Sequence, residues 1–206
     1  VRENLIYDWN LAGTPPARPP FPVQFDDETL RDGLQTPSVT DPEIPAKVEL
    51  LHLMDALGIH TADIGLPGAG PRAKAHVEAL AREIVSGRLK IRPNCAARTL
   101  AADIDPIADV SQKAGIGIEA CLFIGSSPIR QYAEDWTVER MLEHTTTAVR
   151  HAVKLGLKVM YVTEDTTRAH PDTLKRLYTA AIREGAGRIC FCDTVGHATP
   201  EGVRAL

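Results

Sequence analysis

The residues best equipped for chemistry stand close together early in the chain. Asp27, Arg31, Asp32 and Gln35 all fall within the run Phe25-Asp26-Asp27-Glu28-Thr29-Leu30-Arg31-Asp32-Gly33-Leu34-Gln35. Carboxylate oxygens hold hard cations or pass protons. A guanidinium keeps its charge at any working pH and can stabilise an oxyanion as it forms. An isolated Arg-Asp pair would ordinarily be a solvated salt bridge. Here the polar run follows an apolar strand, Gly33 permits a tight turn, and the four polar groups would converge on one rim.

Such a rim must be built by the elements around it. Val23 to Phe25 reads as a strand, Glu43 to Leu57 as a helix ended by Gly58, and Thr61 to Gly65 as a second strand. Strands are also predicted over Leu89 to Cys95, Ile118 to Ile124, Leu157 to Val162 and Arg188 to Cys192. Helices fall between them: Pro71 to Val85, a stretch around Leu100 to Val110, Val138 to Leu155 and Pro171 to Arg183. A last one opens at Thr199-Pro200. The βα rhythm, roughly every 30 to 40 residues, predicts a parallel sheet.

An open doubly wound sheet would need a glycine-rich phosphate turn. The nearest candidate, Gly65 to Gly70, is spoiled by Pro67 and followed by Pro71. A (β/α)8 barrel instead requires polar residues just after each strand. They are there: Asp63 after strand 2, Asn94 and Arg98 after strand 3, Ser126, Ser127 and Arg130 after strand 4. Thr163, Glu164, Asp165 and Arg168 follow strand 5, and Asp193, Thr194 and His197 follow strand 6. The expected fold is α/β, a (β/α)8 TIM barrel truncated to about six βα units. Residues 1–22 form an irregular, proline-rich lead-in, and 23–206 the N-terminal portion of the barrel, with strands 7 and 8 missing.

Bulk composition excludes several functions. The net charge of −4 offers no basic footprint for nucleic acid and no polybasic patch for a membrane. No apolar run is long enough to span a bilayer. The four cysteines lie in apolar runs without disulfide or zinc spacing, so they are expected as buried thiols in a reducing, cytoplasmic compartment. Cys190 and Cys192 would share one strand face. Apart from His197, the histidines are expected to be solvated.

Thr29-Leu30-Arg31-Asp32-Gly33-Leu34-Gln35 resembles the signature of the DRE-TIM metallolyases, the superfamily of 2-isopropylmalate synthase, homocitrate synthase and HMG-CoA lyase. Cys95-Ala96-Ala97-Arg98 with Asp103, Thr163-Glu164-Asp165 with Arg168, and Asp193-Thr194-Val195-Gly196-His197-Ala198-Thr199-Pro200 resemble later segments of the same family, in order. The resemblance implies a divalent metal (Mg²⁺, Mn²⁺ or Zn²⁺) on Asp32, acting as a Lewis acid toward a 2-oxo acid. It also implies that Arg31 stabilises the alkoxide formed when the enolate of acetyl-CoA attacks the carbonyl. Glu164 would position substrate or relay the proton, Thr194 would bind the substrate carboxylate, and Gln35 and Arg98 would shape the pocket.

The implied activity is a Claisen-type acyltransferase that condenses acetyl-CoA with a small 2-oxo acid to an alkylmalate, most like 2-isopropylmalate synthase and so placed in leucine biosynthesis. Its partners would be the 2-oxo acid, an acyl-CoA and, at full length, a second copy of the chain as a homodimer. Departures from the pattern matter. The family's His-x-His metal pair occurs nowhere in the chain, which is the expectation for a missing strand 7 and leaves the fragment alone inactive. Leu34 replaces the synthase glutamate and favours an HMG-CoA lyase-type carbon–carbon cleavage as the alternative. Asp63 stands where synthases carry glutamate, and Gln35 to Lys47 is one residue longer than the synthase pattern. Met160 and Val162 replace the polar pair that suits 2-oxoglutarate, which points to an apolar or short 2-oxo acid. A non-catalytic barrel relative is the third reading.

Overall fold

A computed structural model describes residues 21–206; the lead-in expected over 1–22 lies almost wholly outside them. Six parallel strands form one sheet in the order β1-β2-β3-β4-β5-β6. They are β1 (Asp26–Asp27), β2 (Thr61–Asp63), β3 (Arg92–Arg98), β4 (Glu119–Gly125), β5 (Val159–Glu164) and β6 (Arg188–Phe191). Helices α1 (Ile44–Leu57), α2 (Pro71–Ser86), α3 (Ala101–Ala114), α4 (Pro128–Glu134), α5 (Val138–Lys154), α6 (Pro171–Arg183) and α7 (Pro200–Ala205) connect and follow them. A doubly wound sheet reverses its strand order at a switch point; this one never does. Sequential parallel order is that of the (β/α)8 barrel, of which six successive units are present.

The sheet curls so that its first and last strands face a common interior. Carboxylates of Asp26 and Glu28, beside β1, act electrostatically on Cys190 of β6, and Asp26 acts on Arg188. Side chains alternate accordingly. In β5, Val159, Tyr161 and Thr163 are buried toward the helices, while Met160, Val162 and Glu164 face the half-open interior. The outer face packs Ala120, Leu122, Ile124, Val159 and Tyr161 against Ile104, Ile107, Val110, Met141 and Val149. Each such side chain contributes about 1.5–3 kcal/mol of burial. The Tyr161 hydroxyl meets Thr145 Oγ1 at 2.7 Å, so its polar end is satisfied within the core.

Several details differ from the sequence expectation, among them β2, which ends at Asp63 rather than Gly65, and β5, which runs two residues later than expected. Pairing of β1 begins at Asp26, because Val23 and Phe25 point outward at 51% and 62% exposure. Strand β3 begins three residues late: the N–H groups of Lys90 and Ile91 donate to Asp55 Oδ1 (2.6 and 2.8 Å), holding that stretch as a loop. Helix α4 was not anticipated, yet Ser127 caps it by accepting from Arg130 N at 3.3 Å, with Pro128 in its first turn.

Candidate functional site at the strand ends

The loop after β1 is folded by its own polar groups. Asp27 Oδ1 accepts from Thr29 N at 2.8 Å, and Glu28 O accepts from Arg31 N and Gly33 N at 3.2 and 3.0 Å. Leu30 is buried beneath, so Arg31 is carried to the mouth of the barrel. The 3-10 turn Asp32–Gln35 follows. Asp27, through its bond to Thr29 N, is occupied as a turn residue.

Three acidic side chains fix the Arg31 guanidinium. Nη2 donates to Glu28 Oε2 at 2.6 Å, Nε to Asp63 Oδ2 at 3.2 Å and Nη1 to Asp32 Oδ1 at 3.2 Å. Burial alone would lower the Arg31 pKa, but Glu28, Asp63 and Asp32 outweigh it and raise it. Asp63, at the tip of β2, is 0% exposed and also accepts from Gly65 N at 2.9 Å. Burial, aided by the charge of Glu28, pushes its carboxyl up to about 8 against the pull of Arg31 and Gly65. The group therefore keeps its proton at neutral pH. Glu28 is raised as well, first by burial, against the attraction of Arg31.

Asp32 is different: its side chain is 64% exposed, with one oxygen on Arg31. A carboxylate so placed suits a hard divalent cation as one ligand. Among the described residues, no group of three or more His, Cys, Asp and Glu side chains could complete the coordination. The fit to a metal is thus one donor, not a set.

Gln35 is exposed on the rim of a cavity of about 430 Å³, which Arg31, Leu34, Ile64 and Lys47 also line. Lys47 is buried, 2.5 Å from Asp41 Oδ1 and 3.1 Å from His76 Nδ1. Burial and the charge of Lys47 lower the His76 pKa. The sequence did not single out His76, because a helical histidine reads as solvated. The other histidines also found partners: His52 with Glu83 at 2.8 Å, His151 with Asp105 at 2.6 Å, and His144 stacked on Trp136 at 5.0 Å.

A second cavity, about 270 Å³, opens over β3 to β5 and brings Glu164, Arg98, Arg130 and Phe123 together with Trp136. Glu164 lies 3.7 Å from Arg130 Nη2, and its backbone carbonyl accepts from Ser126 N and Oγ at 3.0 and 2.8 Å. The competing partner for Glu164, Arg168, is instead engaged twice by Asp165 at 2.7 Å. Arg98 is held by buried Asp103 through Nε and Nη2 at 2.7 and 2.9 Å, which makes it a fixed wall of this cavity. Thr194 Oγ1 accepts from Asp165 N at 2.8 Å, joining the loops after β5 and β6 and leaving its hydroxyl proton to donate. Asp193 accepts from His197 N, Ala198 N and Thr167 Oγ1 (2.9, 3.0 and 2.8 Å), and these bonds hold its pKa low. His197 donates to Asp193 through its backbone, and its side-chain charge adds to the lowering of the Asp193 pKa.

The structure therefore places all six expected residues at the C-terminal ends of the strands, in three groups. Arg31, Asp32 and Gln35 follow β1; Arg98 and Glu164 share the second cavity; Thr194 braces the loop after β6. Residues 22–206 match the HMGL-like family profile. The chain is 32% identical over 180 residues to 2-isopropylmalate synthase of Nitratidesulfovibrio vulgaris, covering 87% of the chain and 34% of that protein. It is 34% identical over 187 residues to a putative (R)-citramalate synthase of Methanoculleus marisnigri (90% and 35%). Identity to homocitrate synthase of Methanopyrus kandleri is also 34%, covering 90% of the chain and 44% of that enzyme. The chain thus spans between a third and a half of the length of these relatives. In fold it is similar to HMG-CoA lyase from Bacillus subtilis, with a TM-score of 0.69 at 18% identity over 89% of this chain and 62% of that one. The lyase of Brucella melitensis gives 0.68 at 17%, over 89% and 65%. A singly wound parallel sheet, the Arg31-Asp32 turn after its first strand and the family profile agree: the chain belongs to the HMGL-like family, the DRE-TIM superfamily of synthases and lyases.

Proposed function

We propose that this chain forms part of a divalent-metal-dependent acyltransferase that condenses acetyl-CoA with a small 2-oxo acid to an alkylmalate, in the manner of 2-isopropylmalate synthases. The observation that carries this reading is the Arg31-Asp32 pair: a guanidinium fixed by three acidic side chains, one of which, Asp32, is mostly exposed. A fixed cation beside an accessible hard ligand suits a carbonyl that must be polarised and then become an alkoxide.

Within that reading Asp32 would be one ligand to a divalent cation, which would supply Lewis-acid polarisation of a 2-oxo acid. Arg31 faces the same carbonyl oxygen and stabilises the negative charge that forms there; its fork is already oriented, so little reorganisation is required. Glu164 takes or relays the proton from the acetyl methyl group, with the Arg130 guanidinium 3.7 Å away. Thr194 donates its hydroxyl proton to the substrate carboxylate. Gln35 and Arg98 shape the walls. Met160 and Val162 face the interior, so a short or apolar 2-oxo acid is favoured over a second carboxylate.

Leu34 supports a second reading, the reverse cleavage of a hydroxyacyl-CoA. It lines the cavity beside Arg31, where the synthase pattern has a glutamate. One experiment separates the two. The full-length product of the coding sequence containing this chain is assayed for CoA release from acetyl-CoA with pyruvate, 3-methyl-2-oxobutanoate or 2-oxoglutarate, and for cleavage of HMG-CoA. Release with the apolar or short 2-oxo acids supports condensation. Cleavage of HMG-CoA without any release would transfer the assignment to the lyase.

A further inference from the structure

Glu164 and Thr194, on the loops after β5 and β6, are joined through a residue with no part in the proposed chemistry. The peptide between Glu164 and Asp165 is pinned at both ends. Its carbonyl accepts from Ser126 N and Oγ at 3.0 and 2.8 Å, and its N–H donates to Thr194 Oγ1 at 2.8 Å. Beyond Asp165, Thr166 is tied twice to Cys192: its N–H donates to Cys192 O, and its Oγ1 accepts from Cys192 N, both at 3.0 Å. Cys190 and Cys192 are themselves only half-buried, against the expectation of four buried thiols.

The backbone passes between these fixed points through the left-handed region, with Asp165 at φ +56°. Among the described residues, Arg88 and Asp135 are the other non-glycine residues with positive φ, and both are exposed; Asp165 is 2% exposed. Such a backbone is free for glycine and costly for a residue with a Cβ. What glycine lacks is the carboxylate. Asp165 Oδ1 and Oδ2 accept from Arg168 Nε and Nη2, both at 2.7 Å, which closes the 3-10 turn Thr166–Arg168 onto Asp165. A strained residue persists only where its surroundings hold it, and such positions cluster at functional sites.

We propose that Asp165 is a positioning residue of the site: its left-handed backbone, locked by Arg168, sets the Glu164 carboxylate and the Thr194 hydroxyl relative to each other without touching substrate. The role rests on the condensation proposed above, in which Glu164 handles the acetyl proton and Thr194 the substrate carboxylate. Loosening Asp165 displaces both groups at once, so it moves two kinetic constants together.

The test compares Asp165→Ala and Asp165→Asn with the wild type, each as the full-length product. Alanine disfavours the left-handed backbone and removes the lock; asparagine tolerates that backbone and keeps an oxygen for Arg168. Asp165→Ala should lower kcat for CoA release and raise KM for the 2-oxo acid, together costing about 10²-fold in kcat/KM, with KM for acetyl-CoA little changed. Asp165→Asn should restore most of both. Arg168→Gln, which leaves residue 165 in place, should reproduce the alanine pattern and serves if Asp165→Ala does not fold. A merely structural role would lower kcat through inactive molecules and leave both KM values unmoved, and that result overturns the proposal. Hydrogen exchange read by mass spectrometry follows the lock without turnover: exchange over residues 164–168 and 192–198 should quicken together in Asp165→Ala and stay slow in Asp165→Asn. Unchanged exchange in Asp165→Ala also overturns the proposal. A wild type that releases no CoA would instead remove the condensation reading and this role with it, so the two failures are told apart.

Discussion

Replacing Asp63 with asparagine should flatten the pH dependence of stability. Asp63 is fully buried, and its carboxyl is pushed from 3.8 to about 8. Below the ordinary carboxylate range, folded and unfolded chains both hold the proton, and the residue costs nothing. Between there and about 8 the folded chain keeps a proton that the unfolded chain has released, so stability falls as pH rises. The slope from one such group is about 1.4 kcal/mol per pH unit, or about 3 kcal/mol between pH 5 and pH 7. Asparagine is neutral and nearly isosteric, so the slope disappears. It has one carbonyl oxygen where Asp63 offers Oδ1 to Gly65 N and Oδ2 to Arg31 Nε. The lost acceptor is a constant offset of about 1–3 kcal/mol. Urea unfolding of both proteins at pH 5, 6, 7 and 8 isolates the Arg31–Glu28–Asp63 cluster, because titrations distant from it cancel in the difference. The wild-type advantage should shrink steadily across the series. A difference that stays constant would refute it.

Arg31→Lys in the full-length product should lower kcat for CoA release by about 10²- to 10³-fold with KM for acetyl-CoA little changed, because a point charge cannot reproduce the oriented fork; steady-state kinetics check this. Thr145→Val should destabilise the chain by about 1–3 kcal/mol, since Tyr161 OH loses its 2.7 Å partner inside the core; urea unfolding reads it directly. Gly68→Ala should cost about 1–3 kcal/mol by the same measurement, because a Cβ there would stand 2.7 Å from Asp103 Cα.

Much of the fold was legible in the sequence because βα rhythm and strand-end polarity are local signals. Thr61, Ile118 and Arg188 mark the starts of strands that the structure reproduces within a residue. The start of β3 was not legible, because Asp55, on α1, captures the N–H groups of Lys90 and Ile91 from 35 and 36 residues away. The same holds within the site. The Arg31-Asp32 turn could be read from its own residues, including the glycine that closes it onto Glu28 O. What could not be read was who shares Arg31. Asp63 reaches it from the next strand, and its burial depends on the whole β1–β2 corner. Likewise Arg98 and Asp103 lie five residues apart, a spacing that shows proximity but not the bidentate lock that makes Arg98 a wall. Periodicity likewise could not show that His52, His76 and His151 each meet a side chain on a neighbouring helix.

The central claim is that Asp32 and Arg31 form the electrophilic wall of a metal-dependent condensing site. The most direct measurement is CoA release from acetyl-CoA by the full-length product, with and without a divalent cation, for the wild type and Asp32→Asn. The account predicts release that requires both a 2-oxo acid and Mg²⁺, Mn²⁺ or Zn²⁺, and that is lost in Asp32→Asn while the fold is retained. Release that is indifferent to the cation and to Asp32→Asn, or absent with every cation and 2-oxo acid tried, would contradict it.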